Sequence, residues 1–461
     1  MSEPDVRPLP ATRARPPAVA RWGHDVASLC PRCLKSIPGR VVSSGRGVVM
    51  RKTCPEHGDF ECIVATDVAA YERMRHAPRF VERPARTSTV EAKGCPDDCG
   101  LCPAHDQHTC LAIVELTTRC NLPCPVCLAD ARAQGADLSA EEVLEALRRL
   151  LETEGQPVPL QFAGGEPALH PQLVQIVGGA RALGYTKMEI DSNGLRLAQD
   201  PRLAVELRRA GLTGVYLQFD GLGAGQHAFM RGRDLRAEKL RAIAHCRDAG
   251  LQVVLAVTVV PGVNDADLWT LVRFAVEQRL TGINFQPVVL SGRYPRVVQE
   301  NRGRVTATHF LRAIESQSEG KLRAGDFMPM ACPDPRCGLL SYLLVGRDGA
   351  LLPLVRLVGD ARLRQHVAAF SDWESLLRQL GCAAGCSCAD GDPRAALAGA
   401  VEGAEFFSVG FHGMMDAECF DRDRARRCCV HKLTADGRLM PFCLYNIRYR
   451  RPSGMPHASA G

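Results

Sequence analysis

The sequence predicts an α/β fold of parallel strands with crossover helices, arranged as an open sheet or an incomplete barrel. Between residues 111 and 290, short apolar runs alternate six times with helical patterns. Gly, Pro, Asn or Asp marks most junctions between them. A third observation sets the flanks apart: most of the 21 cysteines lie in tight groups before, at the head of, or after this repeat. The expected organisation is a disordered tail over 1–25, a metal-binding region over 26–110 and the α/β core over 111–290. A cysteine-rich region over 291–448 and a second tail over 449–461 complete it.

The chain has 461 residues, 46% hydrophobic and 23% charged, which is ordinary for a globular protein. Part of the +6 net charge sits near the ends, at Arg7, Arg13, Arg15, Arg448, Arg450 and Arg451. With aromatics at 5% and no basic helix that interleaves them, a nucleic-acid surface is not expected. The stretch Val253–Val260 is strand length, short of the ~20 residues a membrane span needs. The proline- and arginine-rich start has no apolar core of the kind a secretory signal carries. A cytoplasmic protein in a reducing compartment is therefore expected, its clustered cysteines serving as metal ligands rather than disulfides.

In chain order, Cys30-Pro-Arg-Cys33 and Cys54-Pro-Glu-His57 flank a hairpin pattern over Arg40–Arg51 that turns at Gly45-Arg-Gly47. Two ligand-bearing knuckles joined by a hairpin predict a zinc-ribbon or rubredoxin-like site. Cys30, Cys33, Cys54 and His57 are its expected ligands for zinc or iron, with Cys62 as a rival fourth. Asp67–Glu82 reads as a short connecting helix. Cys95, Cys99, Cys102 and Cys110 then fall within sixteen residues rich in Gly and Pro, which predicts a second site, an iron–sulfur cluster by preference. His105 and His108 beside them read either as groups that orient ligands or as solvated loop residues.

The core opens on the strand Leu111–Leu116. Ser139 and Glu142 make a capping box for a helix with Val143, Leu144, Leu147, Leu150 and Leu151 on one face. Strands are expected at Val158–Ala163, Lys187–Ile190, Gly214–Phe219, Leu251–Val259 and Gly282–Val288. Helices are expected at Pro171–Leu183, Pro201–Ala210, Leu235–Ala249 and Leu268–Gln278. In such folds chemistry sits at the C-terminal strand ends. Those ends carry Gly164–Pro167, Ser192–Gly194, Gln218–Gly221, Thr258–Gly262 and Gln286.

The C-terminal end of the first strand, Leu111–Leu116, leads into Cys120-Asn-Leu-Pro-Cys124-Pro-Val-Cys127. Closely spaced thiolates suit zinc or an iron–sulfur cluster, and the two prolines oppose a helix, leaving a loop able to wrap one. A 4Fe–4S cube has four corners and this loop supplies three, leaving one iron open. A zinc site short of one ligand, or three buried free thiols, is the plainer reading. Gly164-Gly165-Glu166-Pro167 follows the next strand: its glycines allow close backbone approach, and Glu166 adds an acceptor for an ammonium group. Alone, that stretch is an ordinary strand-to-helix turn. Past the core, Cys332, Cys337, Cys428 and Cys443 are the expected ligands of an auxiliary cluster; Cys382, Cys386 and Cys388 stay unassigned, and Cys246 reads as a buried free thiol.

The three-cysteine loop followed one βα unit later by Gly-Gly-Glu-Pro resembles the radical S-adenosylmethionine (radical SAM) superfamily. The resemblance implies a (βα)6 partial barrel. Cys120, Cys124 and Cys127 would hold a 4Fe–4S cluster whose open iron takes the amine and carboxylate of SAM. The Gly164–Pro167 turn would receive the amine. Asn193 would bind the carboxylate or ribose, if it is not simply a turn former. Gln218 and Asp220, on one strand face, would reach the ribose, if they do not tie strand ends together. Gln286 would line the pocket. Electron transfer to SAM would release methionine and a 5′-deoxyadenosyl radical that abstracts hydrogen from carbon.

A narrower likeness comes from the order of Cys-Pro-x-Cys, Cys-Pro-Glu-His-Gly, Gly-Cys-Pro-x-Asp-Cys-Gly-x-Cys-Pro-x-His-x-x-His-Thr-Cys, Thr-Arg-Cys-Asn-Leu-x-Cys-Pro-Val-Cys, Leu-Gln-Phe-Asp-Gly and Pro-Phe-Cys-x-Tyr-Asn. It is similar, over residues 28–448, to the group of archaeal tetraether lipid synthases and pterin-ring methylases. Ser192-Asn-Gly stands where the group has Thr-Asn-Gly. The resemblance implies sp3 C–H activation leading to C–C bond formation or methylation. A long-chain lipid is the first expected substrate and a pterin-like heterocycle the second. An electron donor such as ferredoxin or flavodoxin and peripheral membrane contact belong to the same expectation. A peptide-modifying maturase with auxiliary clusters is the alternative within the superfamily, and a non-catalytic iron–sulfur electron carrier the alternative outside it.

Overall fold

The computed structural model describes residues 22–300, 303–360, 363 and 404–450. Cys382, Cys386 and Cys388 lie outside the described residues, as does most of each tail. The first strand already begins at Gly23, because Gly23–Leu29 pairs along its whole length with Ser36–Val42.

Four antiparallel strands form the N-terminal sheet: β1 (Gly23–Leu29), β2 (Ser36–Ser44), β3 (Gly47–Cys54) and β4 (Gly58–Ala65). The β2–β3 connection falls at Gly45-Arg46. A Cβ on Gly47 would lie 2.3 Å from the Ala65 carbonyl at a φ of +110°, so this position requires glycine. Val26, Val41, Val48, Met50 and Ala65 pack under Tyr71 of α1 (Val68–Arg75), which ends well before Glu82.

The second sheet has twelve strands. At its centre β5 (Leu111–Thr117), β6 (Leu160–Gly164), β7 (Met188–Ser192), β8 (Gly214–Gln218), β9 (Gln252–Val259) and β10 (Gly282–Pro287) pair in chain order, all parallel. Between them run α2 (Ala140–Glu154), α3 (Leu173–Ala182), α4 (Leu195–Gln199), α5 (Pro201–Ala210), α6 (Ala224–Arg231), α7 (Arg236–Asp248) and α8 (Leu268–Glu277). The Ser139–Glu142 capping box forms as the sequence predicts. One residue in two along each strand (Val114, Phe162, Ile190, Leu217, Leu255, Phe285) joins a single core with Leu147, Ile176, Leu207, Ile243 and Leu271 of the helices. The alternate residues face the opposite side, the lumen of the partial barrel.

Residues after 290 extend this same sheet at both edges. β11 (Met328–Pro329), β12 (Gly338–Val345) and β14 (Glu405–His412) add beyond β10, and β13 (Leu351–Pro353) pairs with β12. On the other edge β15 (Val430–Leu433) lies parallel to β5, and β16 (Leu439–Pro441) follows it. Cysteines near the chain end are thereby carried beside Cys110. Among the described residues, no helix is long and apolar enough to cross a membrane.

Candidate active site and metal centres

The three-cysteine loop is tied down on every side. Cys120 N–H donates to the Arg132 carbonyl (2.7 Å), and Cys127 and Arg293 exchange backbone hydrogen bonds of 2.8 Å in both directions. Arg293 also donates to the Cys124 carbonyl (2.7 Å), the Ala131 carbonyl (3.0 Å) and Asp130 (2.8 Å). A Cβ on Gly292, at φ +70°, would meet the carbonyls of Cys127 and Leu128 at 2.4 and 2.3 Å, so the strap can lie flat on the loop only as glycine.

The Gly164–Pro167 turn packs against the entrance of the three-cysteine loop. A Cβ on Gly164 would sit 2.2 Å from the Thr117 carbonyl, and one on Gly165 2.1 Å from the Arg119 carbonyl. Gly165 N–H and Glu166 N–H donate to those same two carbonyls at 2.8 Å. The glycines therefore let the turn dock on the entrance of the cysteine loop. Glu166 is fully buried and accepts from Ala168 N–H (3.0 Å), Ser192 Oγ (2.8 Å) and Asn193 N–H (2.7 Å). Its carboxylate locks the end of β6 to the end of β7, and desolvation pushes it up to about 7 despite these donors. Pro167 starts the short helical turn that follows. Asn193 donates from Nδ2 to Asn121 Oδ1 (2.9 Å) and stands 3.7 Å from Cys120 Sγ, so it lies at the loop.

Gln218 and Asp220 face buried cations that the sequence reading missed. Asp220 accepts from Arg231 Nε (2.6 Å) and Thr258 N–H (2.9 Å), and is bonded by Gln218 Nε2. Arg231, at the end of α6, also donates to the Val126 carbonyl (3.0 Å) and lies against the Cys124 thiol. Gln218 Oε1 and the Asn193 carbonyl accept from Lys239 Nζ of α7, at 2.7 and 2.5 Å. Gln218 and Asp220 thus tie strand ends to one another and to the cysteine loop. Lys239 is fully buried, and desolvation beside Arg231 holds it down to about 7. Between pH ~7 and ~10 the native state therefore carries one proton fewer at this site than the unfolded chain, and stability rises with pH across that window. Lys239→Met is expected to flatten the rise by up to about 1.4 kcal/mol per pH unit, read from denaturant midpoints at several pH values.

The thiols sort into sets by their spacing. Cys33 and Cys54 stand 3.9 Å apart, and His57 Nδ1 lies 3.5 Å from Cys54 and 3.7 Å from Cys30. These are the edges, about 3.8 Å, of a tetrahedron around an ion with ~2.3 Å bonds to sulfur. Cys62 stays apart, donating to the Glu418 carbonyl at 3.1 Å beside Cys419. A second close group joins His108, Cys110 and Cys332. Cys429 bonds to Cys110 there as well. This close group takes one thiol from each of two expected quartets. Parallel pairing of β15 on β5 brings the Cys429 carbonyl to Cys110 N–H (2.8 Å). Gln107 holds the Cys332 carbonyl at 2.5 Å, and Cys332 packs with Cys110, Cys428 and Cys429.

Cys337, Cys428 and Cys443 line one pocket together with Met415, His412 and Phe442. Burial pushes Cys443 up to about 12, Cys120 up to about 12 and Cys95 up to about 11, and each has another thiol close by. Neighbouring buried thiols are costly to ionise alone, and metal would relieve that cost. Cys120, Cys124 and Cys127 pack in one cluster with Leu122 and Ala131, and the Cys120 thiol feels the charge of the other two. Three thiols on one loop suit the corners of an iron–sulfur cube. His105 is buried against His431 (3.1 Å) and the Cys428 carbonyl (2.9 Å), so it braces this region rather than meeting solvent.

Comparison with known proteins identifies the α/β core and the N-terminal sheet. The Radical SAM superfamily matches residues 114–275, and the HMPTM N-terminal zinc ribbon domain matches residues 23–66. The 7,8-dihydro-6-hydroxymethylpterin dimethyltransferase of Methanocaldococcus jannaschii is 31% identical over 92% of this chain and 93% of its own. The GTP 3′,8-cyclase of Streptomyces coelicolor is 32% identical over 45% of this chain and 60% of its own. Among solved structures, Streptococcus suis SuiB bound to its precursor peptide matches at 14% identity, covering 47% of this chain and 48% of that one. Its TM-score of 0.35 is too loose to bear on function. The chain is a radical SAM enzyme, dependent on a 4Fe–4S cluster and S-adenosylmethionine. It belongs to the radical SAM superfamily, and within it to the family of 7,8-dihydro-6-hydroxymethylpterin dimethyltransferase.

Proposed function

We propose that this enzyme activates an sp3 C–H bond of a pterin-like heterocycle and builds a methyl group or C–C bond at that carbon. The observation that carries this reading is the chemistry of the lumen. Gln161, Glu189, Asp191, Tyr216, Asn284 and Gln286 all sit on the strand face opposite the apolar core. A hydrocarbon chain there would leave the Asp191 carboxylate and the Tyr216 O–H facing an apolar ligand, at ~1–3 kcal/mol each, whereas a heterocycle supplies donors and acceptors. The order of the two expected substrates is thus reversed in favour of the heterocycle, a choice also supported by the name of the Methanocaldococcus relative.

Cys120, Cys124 and Cys127 would hold the SAM-cleaving cluster, with Asn193 and the backbone of the Gly164–Pro167 turn at its side. When bound, the cluster supplies the electron that splits SAM into methionine and the 5′-deoxyadenosyl radical. The protein's own part is to fix the loop through Arg231, Arg293 and Glu166. Cys30, Cys33, Cys54 and His57 would take one zinc or iron ion. His108, Cys110 and Cys332, with Cys429 alongside, would form another small site. The wider sets Cys95–Cys99–Cys102 and Cys337–Cys428–Cys443 would carry auxiliary clusters. A ferredoxin or flavodoxin in a reducing cytoplasm would deliver the electron.

The test is anaerobic turnover of the reconstituted full chain with SAM and 6-hydroxymethyl-7,8-dihydropterin deuterated at its sp3 carbons. Deuterium in 5′-deoxyadenosine is the expected outcome. Transfer only from a deuterated lipid, with none from the pterin, would overturn the heterocycle reading.

A further inference from the structure

Glu115, Glu189 and Asp191 all face the lumen, but their surroundings differ. Glu115 is neutralised: Lys432 Nζ stands 2.7 Å away, Arg450 reaches it from the chain end, and Tyr445 OH donates at 3.2 Å. Those cations hold it down at about 2. Among the described residues Glu189 has one hydrogen-bond partner, Gln161 Nε2 at 2.7 Å. Asp191 makes no hydrogen bond or ion pair among the described residues; Lys432, Arg231 and Lys239 act on it only through their fields, and desolvation pushes it up to about 6.

Beside Asp191, in register on the next strand, is Tyr216. Its oxygen receives Asn284 Nδ2 at 2.6 Å and Gln286 Nε2 at 2.5 Å. With two N–H groups on its oxygen, the Tyr216 hydroxyl keeps its hydrogen to donate into the lumen. The wall of the lumen therefore offers an unclaimed carboxylate next to an unclaimed O–H donor. They lie on β7 and β8, whose C-terminal ends adjoin the three-cysteine loop through Asn193 and Gln218.

We infer that Asp191 and Tyr216 read the 2-amino-4-oxopyrimidine edge of the substrate. Asp191 accepts the ring N–H and the exocyclic amino group in a bidentate pair, and Tyr216 donates to the neighbouring oxo group. The carboxylate's two oxygens match two adjacent N–H donors, a pairing that is both strong and directional. Glu189, one layer below Asp191 on the same strand, supplies a further acceptor toward the lumen. This inference rests on the heterocycle reading above and names the groups by which that heterocycle is recognised. The edge is shared by pterins and guanine, so the two sources are separated by experiment.

The experiment is anaerobic equilibrium dialysis of the reconstituted full chain with SAM, against four compounds. They are 6-hydroxymethyl-7,8-dihydropterin, its 2-oxo counterpart lacking the amino group, guanosine and GTP. The expected result is that the aminated pterin binds at least about tenfold more tightly than the 2-oxo compound, and that Asp191→Asn erases this preference. Because the preference is first read on the wild-type chain, a misfolded variant does not hide the answer; Tyr216→Phe, expected to weaken both pterins alike, serves as the second variant. Guanosine or GTP binding more tightly than the pterin would keep the edge but assign it to a nucleotide. If wild type binds both pterins equally, or Asp191→Asn keeps the full preference, the Asp191 assignment falls while the heterocycle reading stands. If no pterin or guanine compound binds at all, both fall together.

Discussion

Replacing Cys120, Cys124 and Cys127 together by alanine abolishes 5′-deoxyadenosine formation and lowers iron content by about four per chain. This is the largest effect expected of any change in the protein. The three thiols converge from one loop whose backbone is fixed by Arg132, Arg293 and the Val126–Arg231 contact. The loop carries no other soft ligand. Iron at the auxiliary sites proposed on Cys95, Cys337 and their neighbours is expected to remain in this variant, because those sets are held by different elements. Anaerobic iron and sulfide analysis, with chromatography of the SAM cleavage products, checks both halves. Retention of all the iron would mean that the loop binds none.

Arg231→Met destabilises the chain by roughly 3–5 kcal/mol, because it leaves Asp220 buried and charged without its cation. Asp220 is 0% exposed and takes Arg231 Nε at 2.6 Å. The same guanidinium reaches the Val126 carbonyl and the Cys124 thiol, so the loss is felt at the cysteine loop too. Denaturant midpoints report the destabilisation, and SAM affinity is expected to fall with it. Arg231→Met paired with Asp220→Leu should recover part of the stability, since an apolar pair of similar size avoids the orphaned charge. A single variant as stable as wild type would show that the pair contributes nothing to the fold.

The centre of this fold is legible in the sequence because it is built from local patterns. The six parallel strands announce themselves as apolar runs, and α2 through a capping box that forms as written. α6 is missed because Ala224–Arg231 is short, contains Gly225 and carries little apolar periodicity. Lys239 did leave a signal. It sits at i, with Ala242, Ile243 and Cys246 at i+3, i+4 and i+7, which is a charge on the buried stripe of α7. Such a lysine must find acceptors, and it finds Asn193 and Gln218.

The sorting of the cysteines is less readable for a different reason. The four ligands of the N-terminal site come from knuckles joined by one hairpin, so spacing alone groups them. Cys110 meets Cys429 because β15 joins the edge of β5 from more than 300 residues away, and meets Cys332 because Gln107 holds the Cys332 carbonyl. No local pattern records such pairing. The Gly164-Gly165 turn shows the opposite case: the residues are conspicuous, but their steric reason lies in Thr117, the last residue of β5, and Arg119 just beyond it.

The central claim is an iron cluster on Cys120, Cys124 and Cys127 with one corner open to SAM. Electron paramagnetic resonance of the anaerobically reduced full chain, recorded with and without SAM, tests it most directly. The cluster signal of the wild type is predicted to shift on adding SAM, and the responding component to vanish in the triple alanine variant. A spectrum indifferent to SAM, or a response that survives loss of all three thiols, would contradict it.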